Sequence, residues 1–299
     1  VIAFEAFTKR FGAQRAVEEL TLEVHSGEVV ALIGPNGSGK TTSLKAAAGL
    51  LRPSGGRVLL GSPGTPATDP AARRSMSYLP QRVAFPESLS GREVLEFFRS
   101  LRNTDPDRID QVLRFSSLNG ASDRYVGTYS GGMLQRLGLA VAMLPDAPIL
   151  LLDEPTAALD PDGLCAFYGL VEQRKRAGKA VFFTSHQIGD VERLADRFAV
   201  LVEGRLVASL SQAELRDRLA ERGVMRLRLG ADPASLLSSI RTIAPKALAV
   251  GDELIVPGGA AIRPRVIDLV RAAGAPIRGL TAEEGRLDTF YRELVSAHR

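Results

Sequence analysis

Short apolar stretches broken by paired turn residues open the chain. Residues 2–7 and 20–24 are apolar-rich and are separated by Phe11-Gly12 and Ser26-Gly27, a rhythm that predicts antiparallel strands joined by turns. Val29–Ile33 is a continuous apolar run, as expected of a strand buried on both faces. A glycine-rich loop follows, and then an alanine-rich helix predicted over residues 40–51. Arg52-Pro53-Ser54-Gly55-Gly56 is expected to stop that helix and lead into a strand at 57–60. From about residue 85 to 136 the rhythm becomes helical. Ser90-Gly91-Arg92-Glu93 fits a capping box, and Val94, Leu95, Phe97, Phe98 and Leu101 recur on one helical face. Further helices are predicted at 107–118 and 133–144. An all-helical insert inside a strand–helix alternation predicts a helical subdomain, about residues 82–136, mounted on a parallel-sheet core.

The alternation then resumes. A strand is predicted at 149–152, a helix at 161–177 stopped by Gly178, a strand at Ala180–Ser185, and a short helix. A hairpin over 198–202 and 206–209 turns at Glu203-Gly204. Ser211-Gln212-Ala213-Glu214 offers a second capping box for a helix ending near Gly223. Beyond it the pattern reads strand (225–229), helix (233–241), two strands around Gly251-Asp252 (247–256), helix (263–273), strand (276–280) and closing helix (288–295). That β-α-β-β-α-β order predicts a small α+β domain of ferredoxin-like type. The expected division is residues 1–222 and 223–299.

Composition narrows the classes. The 299 residues suit one or two domains, and 45% hydrophobic with 24% charged residues is ordinary for globular chains. One cysteine excludes a disulfide framework and a zinc ribbon, and Cys165 is expected to be a small apolar core residue. The 38 basic and 34 acidic residues leave a net charge of +4, too mild to imply nucleic acid, and no nucleic acid partner is expected. Neither Val29–Ile33 nor residues 149–152 approaches the ~20 apolar residues of a membrane span. The N-terminus shows no basic-then-apolar leader. The expectation is a soluble, cytoplasmic chain whose membrane role, if any, comes through a partner.

Chemistry concentrates in three places. Gly34-Pro35-Asn36-Gly37-Ser38-Gly39-Lys40-Thr41, followed by Thr42, matches the P-loop pattern between a buried strand and a helix. Its glycines let backbone N–H groups converge on phosphate oxygens at a helix N-terminus. Lys40 is expected to bridge β- and γ-phosphates and Thr41 to place a hydroxyl on Mg²⁺. The strand Ile149-Leu150-Leu151-Leu152 ends in Asp153-Glu154, a doubly acidic terminus that is unfavourable to bury without a cation. Asp153 is therefore the candidate Mg²⁺ partner and Glu154 the group that orients or deprotonates water. Together these two motifs predict a nucleotide triphosphatase. Ser130-Gly131-Gly132 before a helix is a second anion-binding N-terminus, or simply a turn and cap.

The segment Tyr129-Ser130-Gly131-Gly132-Met133-Leu134-Gln135-Arg136, standing 23 residues before Asp153, resembles the signature sequence of the ATP-binding cassette (ABC) family. Over residues 1–222 the other motifs of that family are matched in order. Phe11 matches the aromatic that stacks on adenine, and Gln81 the glutamine between core and helical subdomain, which also reaches Mg²⁺. Ala158-Leu159-Asp160 matches the D-loop and His186 the switch histidine. The resemblance implies an α/β P-loop ABC cassette (RecA-like core, antiparallel β-subdomain, helical subdomain) that uses ATP and Mg²⁺. Its catalytic residues are Glu154, His186 and Lys40. Gly131, Gly132 and Asp160 are implied as further nucleotide-binding residues. The partners are an integral-membrane permease and a second copy in a head-to-tail homodimer, where Ser130 covers the γ-phosphate bound by the other chain's Lys40. The chain then lies on the inner face of the membrane through that permease. Tyr129 stands for the usual Leu, Met133 for the usual Gln, and Ala157-Ala158 for a polar-Gly pair, which leaves turnover rate open. His25 and His298 match no motif and are expected at the surface.

A transporter subunit, a soluble cassette ATPase acting on ribosomes or DNA, and a non-hydrolysing regulator remain as roles. The first is favoured by a single cassette with its hydrolytic residues in place. Residues 73–98 and the tail Arg286-Leu287-Asp288-Thr289-Phe290-Tyr291 resemble exporter-type ATPases with a C-terminal extension. Within that group the ATPase of nitrous oxide reductase maturation, a copper-site assembly system, is the nearest match, beside drug, lipid and polysaccharide exporters. The permease is expected in a groove between Gln81 and Arg99, against Val83, Phe85, Pro86 and Leu89.

Overall fold

The computed structural model describes residues 1–118 and 120–298; Asn119 and Arg299, which fall inside the two expected domains, lie outside the described residues. Among the described residues the chain divides into two compact units, Val1–Ser209 and Leu210–Ala297. The expected division stood at 222/223; the helix Gln212–Ala220 belongs with the second unit.

In the first unit, β1 (Ile2–Phe11) and β2 (Gln14–Val24) form an antiparallel ladder whose tight turn uses Gly12 at φ +59°. β3 (Val29–Ile33) is buried at each position. It feeds the glycine-rich loop and α1 (Lys40–Ala47). The helix is shorter than the predicted 40–51. Gly49 adopts φ +68°, its N–H donates to Ala46 O at 3.0 Å, and the Leu50 N–H donates to Lys45 O at 2.9 Å, the two bonds of a Schellman stop. A Cβ on Gly49 would stand 2.1 Å from Ala67 O, so close packing as well as backbone conformation demands glycine there.

β4 (Gly55–Leu60) and β5 (Thr65–Pro66) complete an antiparallel sheet of order β2-β1-β4-β5. After α2 (Pro70–Arg73) and β6 (Met76–Leu79) comes the helical insert: α3 (Gly91–Arg102), α4 (Asp107–Phe115) and α5 (Gly131–Met143). Ser90 caps α3 in the expected capping box with Glu93. β7 (Ile149–Asp153), α6 (Pro161–Arg176), β8 (Ala180–Ser185), α7 (Ile188–Leu194), β9 (Arg197–Val202) and β10 (Arg205–Ser211) close the unit. The second sheet runs β10-β9-β3-β8-β7-β6, and β6/β7, β7/β8, β3/β8 and β3/β9 are parallel pairs. β9 and β10 join through Glu203-Gly204, both at positive φ, the conformation of a type I′ hairpin. Phe4, Phe7, Leu32, Leu151, Phe182 and Leu201 pack in one core between the two sheets, each contributing roughly 1.5–3 kcal/mol of burial. Because β3, β7 and β8 are parallel, the glycine loop, Asp153-Glu154 and His186 all emerge at one sheet edge, where open α/β sheets bind ligands.

Cys165 corrects its expectation. The buried face of α6 runs through Gly163, Phe167, Leu170, Val171 and Arg174, which leaves Cys165 exposed. His25 and His298 are exposed, as expected.

The second unit begins with α8 (Gln212–Ala220), capped by Ser211 and Glu214. β11 (Val224–Leu229), α9 (Leu237–Arg241), β12 (Leu248–Val250), β13 (Glu253–Pro257), α10 (Arg263–Ala272), β14 (Ile277–Glu283) and α11 (Leu287–Ala297) follow. Pro233–Leu236, expected as the first turn of the helix, is a 3-10 turn capped by Asp232. The antiparallel sheet has the order β12-β13-β11-β14, and Met225, Leu227, Leu254 and Val256 bury one face against Ile240, Val266 and Val270. No helix among the described residues is long and apolar enough to cross a membrane.

Candidate functional site

The loop from Gly34 to Gly39 turns β3 into α1, and packing dictates its glycines. A Cβ on Gly34 would meet Leu201 O at 2.1 Å, and one on Gly39, at φ +101°, would meet Ala16 O at 2.3 Å. Lys40 is only 6% exposed. Its Nζ donates to Gly34 O at 2.8 Å and Pro35 O at 3.1 Å, so the loop's own carbonyls hold the ammonium inward. Burial pulls the Lys40 pKa down, while the carboxylates of Glu154 and Asp153 push it back up. The Ser38 hydroxyl is buried without a hydrogen-bond partner.

Asp153 is wholly buried. Its Oδ1 accepts from Thr184 Oγ1 at 2.7 Å and Thr41 Oγ1 at 3.2 Å, while Oδ2 has no partner. Burial drives its pKa up, with the two threonine hydroxyls opposing. Glu154 sits at φ +49°. Its N–H donates to Thr184 Oγ1 at 2.9 Å, and its carboxylate accepts from Gln81 Nε2 at 3.2 Å and lies 3.1 Å from His186 Nδ1. Thr184 thus ties both acids together, and sequence reasoning missed it. The available signal was a polar residue within the apolar strand Ala180–Ser185, opposite Asp153 in parallel register.

Phe11, Gln14, Ala16, Asn36, Gly37, Ser38, Gly39, Lys40, Thr41, Thr42, Gln81 and Glu154 line one cleft of about 480 Å³. Phe11 is half exposed, and Lys9 Nζ lies over its ring at 5.1 Å, held there by a bond to Arg52 O at 2.8 Å. Ser130, Gly131, Gly132 and Asp160 do not line this cleft. Ser130 caps α5 by accepting from the Met133 N–H at 3.3 Å. Arg136 pairs with Asp160, which in turn caps α6 through the Gly163 N–H at 2.9 Å. Tyr129 is buried, and its hydroxyl donates to Ala121 O at 2.7 Å beside Gly91, so this departure from the family pattern fills a prepared seat. The candidates therefore form two groups, one around the P-loop and one at the start of α5.

A second cleft, of about 440 Å³, opens between the core and the helical insert. Leu50, Met76, Phe98, Leu101, Val141 and Pro145 give it apolar walls, and Arg73, Arg74 and Arg102 add positive charge. Leu101 is 68% exposed, and Phe97, beside Phe98 on α3, is 61% exposed. The Ser77 and Tyr78 hydroxyls in its lining are buried without partners. Phe85 packs edge-on against Phe98 at 6.0 Å and, like Leu89, does not line this cleft.

The ABC transporter family model matches residues 17–157. The Nod factor export ATP-binding protein I of Burkholderia lata is 33% identical over 257 residues, covering 85% of this chain and 84% of that one. The chain belongs to the ABC transporter family, as an ATP-binding protein. The daunorubicin/doxorubicin resistance ATP-binding protein DrrA of Streptomyces peucetius is 34% identical over 76% of this chain and 70% of its own length. An uncharacterised ABC transporter ATP-binding protein of Nostoc is 40% identical over 65% of this chain, but the chain spans only 59% of that relative. Among solved structures, an ATP-binding subunit of an ABC transporter superposes with a TM-score of 0.68 at 27% identity, covering 73% of this chain and 92% of the other. The first unit has the ABC cassette fold, with mixed α/β sheets.

Proposed function

We propose that this ABC protein hydrolyses ATP, with water as nucleophile and ADP and phosphate as products, to drive a separately encoded export permease. The observation that carries the hydrolytic reading is the position of Glu154, at the mouth of a P-loop cleft with Gln81 and His186 both on its carboxylate. Lys40 leaves the Gly34 and Pro35 carbonyls to bind β- and γ-phosphate oxygens, and the N–H groups of Asn36 to Thr42 cradle the rest. Phe11 stacks on adenine with the ring face that Lys9 leaves free.

Mg²⁺ fits the donor set, because a buried, partnerless Asp153 oxygen beside the Thr41 hydroxyl is the hard-oxygen chemistry that suits a divalent cation. Thr41, Asp153 and Gln81 would hold it, and it supplies charge neutralisation at the phosphates. Glu154 orients the attacking water and accepts its proton, while His186 fixes the Glu154 carboxylate and donates toward the γ-phosphate.

Ser130, Gly131, Gly132 and Asp160 stand outside their own chain's cleft, which supports a head-to-tail homodimer in which they cover the partner's nucleotide. The apolar, arginine-rimmed cleft beside α3 suits a short cytoplasmic helix of the permease with a carboxylate among its apolar residues, docked as a helix in a groove. This is a different place from the loop around Phe85 and Leu89. Such docking puts the chain at the inner face of the cell membrane. Export of a drug-like or other amphiphilic cargo follows the drug-resistance and Nod factor names of the relatives; the copper-assembly reading draws no support from them. The second unit reads as ferredoxin-like, because numbering its strands in chain order gives the sheet order 2-3-1-4.

The test is steady-state ATPase activity beside equilibrium nucleotide binding. Lys40→Ala is expected to lose ATP affinity, whereas Glu154→Gln keeps affinity and loses turnover by about 100-fold or more. Turnover by Glu154→Gln at the wild-type rate would remove Glu154 from the chemistry.

A further inference from the structure

A buried acid stands behind this chemistry without belonging to it. Asp190, in the first turn of α7, is 3% exposed. Its carboxylate accepts from Thr156 Oγ1 at 2.6 Å and from Tyr168 Oη at 2.7 Å, and it lies 3.4 Å from Ser185 Oγ, whose one hydrogen it shares with Gln187 O at 3.2 Å. The three hydroxyls come from three segments: the loop after β7, helix α6 and the end of β8. Burial and the bond to Asp190 push the Tyr168 phenol up to about 12, so it remains a donor. Arg193, one turn further along α7, lies over the Tyr168 ring at 4.6 Å and clamps the two helices together.

The sequence positions of these donors give the arrangement its meaning. Thr156 lies two residues after Glu154, and Ser185 immediately precedes His186. Asp190 therefore grips the backbone on the far side of each member of the Glu154–His186 pair. Glu154 is held in the left-handed region, which a non-glycine residue keeps only where its surroundings over-determine it. The Thr184 hydroxyl restrains it from one side, and the Asp190–Thr156 bond restrains the following loop. His186 is half exposed, so its aim depends on the strand end that carries it. A carboxylate accepts on both of its oxygens, as the Thr156 and Tyr168 hydroxyls require here, whereas an amide accepts on one oxygen only and an apolar side chain on none. A buried carboxylate met only by neutral donors is a poor device for stability alone, which points to geometry as its role.

We propose that Asp190 is a positioning residue that locks the loop after Glu154 and the strand end before His186 in one register, so that carboxylate and imidazole address the same water. This rests on the hydrolytic reading given above.

The experiment compares the full-length wild type with Thr156→Val, Thr156→Ser and Asp190→Asn, with Glu154→Gln as the reference for lost chemistry. ATPase kinetics, binding of a fluorescent ATP analogue and thermal melting are measured on each. Thr156→Val keeps the shape of the side chain without its hydroxyl and is expected to lower kcat about 10- to 100-fold. KM and analogue affinity are expected within about twofold of wild type, and Tm within a few degrees. Thr156→Ser restores most of kcat, and adding Thr156→Val to Asp190→Asn produces no further loss, as expected of one shared network. Wild-type kcat in Thr156→Val, or a kcat loss that tracks Tm and is not rescued by serine, overturns the proposal. A wild type no faster than Glu154→Gln overturns the hydrolytic reading, and this proposal with it.

Discussion

At the scale of the residue, Asp153 is where stability and the proposed metal-binding role oppose each other. It is wholly buried, one oxygen holds two threonine hydroxyls, and the other holds nothing. Burial raises its pKa above the ordinary 3.8. A raised folded pKa leaves the fold unpenalised below that value, and stability is lost as pH rises from it through the elevated folded pKa. Asp153→Asn keeps an oxygen for Thr41 and Thr184 and removes the charge. It is expected to be more stable than the wild type by about 1–2 kcal/mol at pH 7. The gap should close toward pH 4, and Mg²⁺-dependent hydrolysis should be lost throughout. Thermal melts at the two pH values check this, and an asparagine variant less stable at pH 7 contradicts it.

At the scale of the element, the strand that carries the acids is aligned from its opposite end. Arg174, buried near the end of α6, donates Nη1 to Asp146 Oδ1 at 2.6 Å and Nη2 to Ala147 O at 2.9 Å, and Lys179 pairs with the same Asp146. These bonds fix the loop that enters β7. The Lys179 bond, followed by the charges of Lys179 and Arg174, holds the Asp146 carboxyl below its ordinary value. A depressed folded pKa contributes stability above 3.8 that is lost as pH falls through the folded value. Asp146→Asn is therefore expected to lose about 1–2 kcal/mol at pH 7, less than a wholly buried pair because Asp146 itself is largely exposed. Acid-unfolding curves of the two proteins should converge below about pH 4; a gap constant down to strong acid would mean that the loss is steric. Elements of this kind are readable where chemistry is local: Val29–Ile33 announces a buried strand, and Ser90 and Ser211 announce their caps. The end of α1 was not readable in the same way, because Gly49 stops the helix partly by seating against Ala67, which is distant in sequence. Cys165 was misplaced for a related reason: residue type suggested the core, and only the rotation of α6 shows its face.

At the scale of the whole molecule, what the sequence disclosed divides along the same line. The P-loop, Asp153 and Glu154 were legible from spacing, and Phe11, Gln81 and His186 from family resemblance. The hydrogen bonds of Thr184 and Asp190 arise from strand register and helix packing, which no local pattern encodes. The expected permease groove near Phe85 was read from local apolar residues alone, whereas the apolar cleft beside α3 is assembled from segments distant in sequence; Phe85 packs against Phe98, which lines that cleft. The remaining group, Ser130-Gly131-Gly132 at the start of α5, lines no part of the P-loop cleft of its own chain, yet it presents a helix N-terminus suited to phosphate. In the proposed homodimer a second copy supplying that N-terminus would make nucleotide the bridge between two chains, and ATP binding and dimerisation would be linked by mass action. Hydrolysis would break that bridge, so a Glu154→Gln variant slowed in turnover is expected to accumulate it. In light scattering with ATP–Mg²⁺, Glu154→Gln is expected to move from the monomer mass to twice that mass, and to remain monomeric without nucleotide. Adding Ser130→Arg, which fills the space a γ-phosphate would take, should return the mass to that of the monomer while each chain still binds one ATP. If Glu154→Gln stays monomeric at saturating ATP–Mg²⁺ and high protein concentration, the α5 N-terminus does not complete a partner's site. If it dimerises equally well without ATP, some other surface joins the chains.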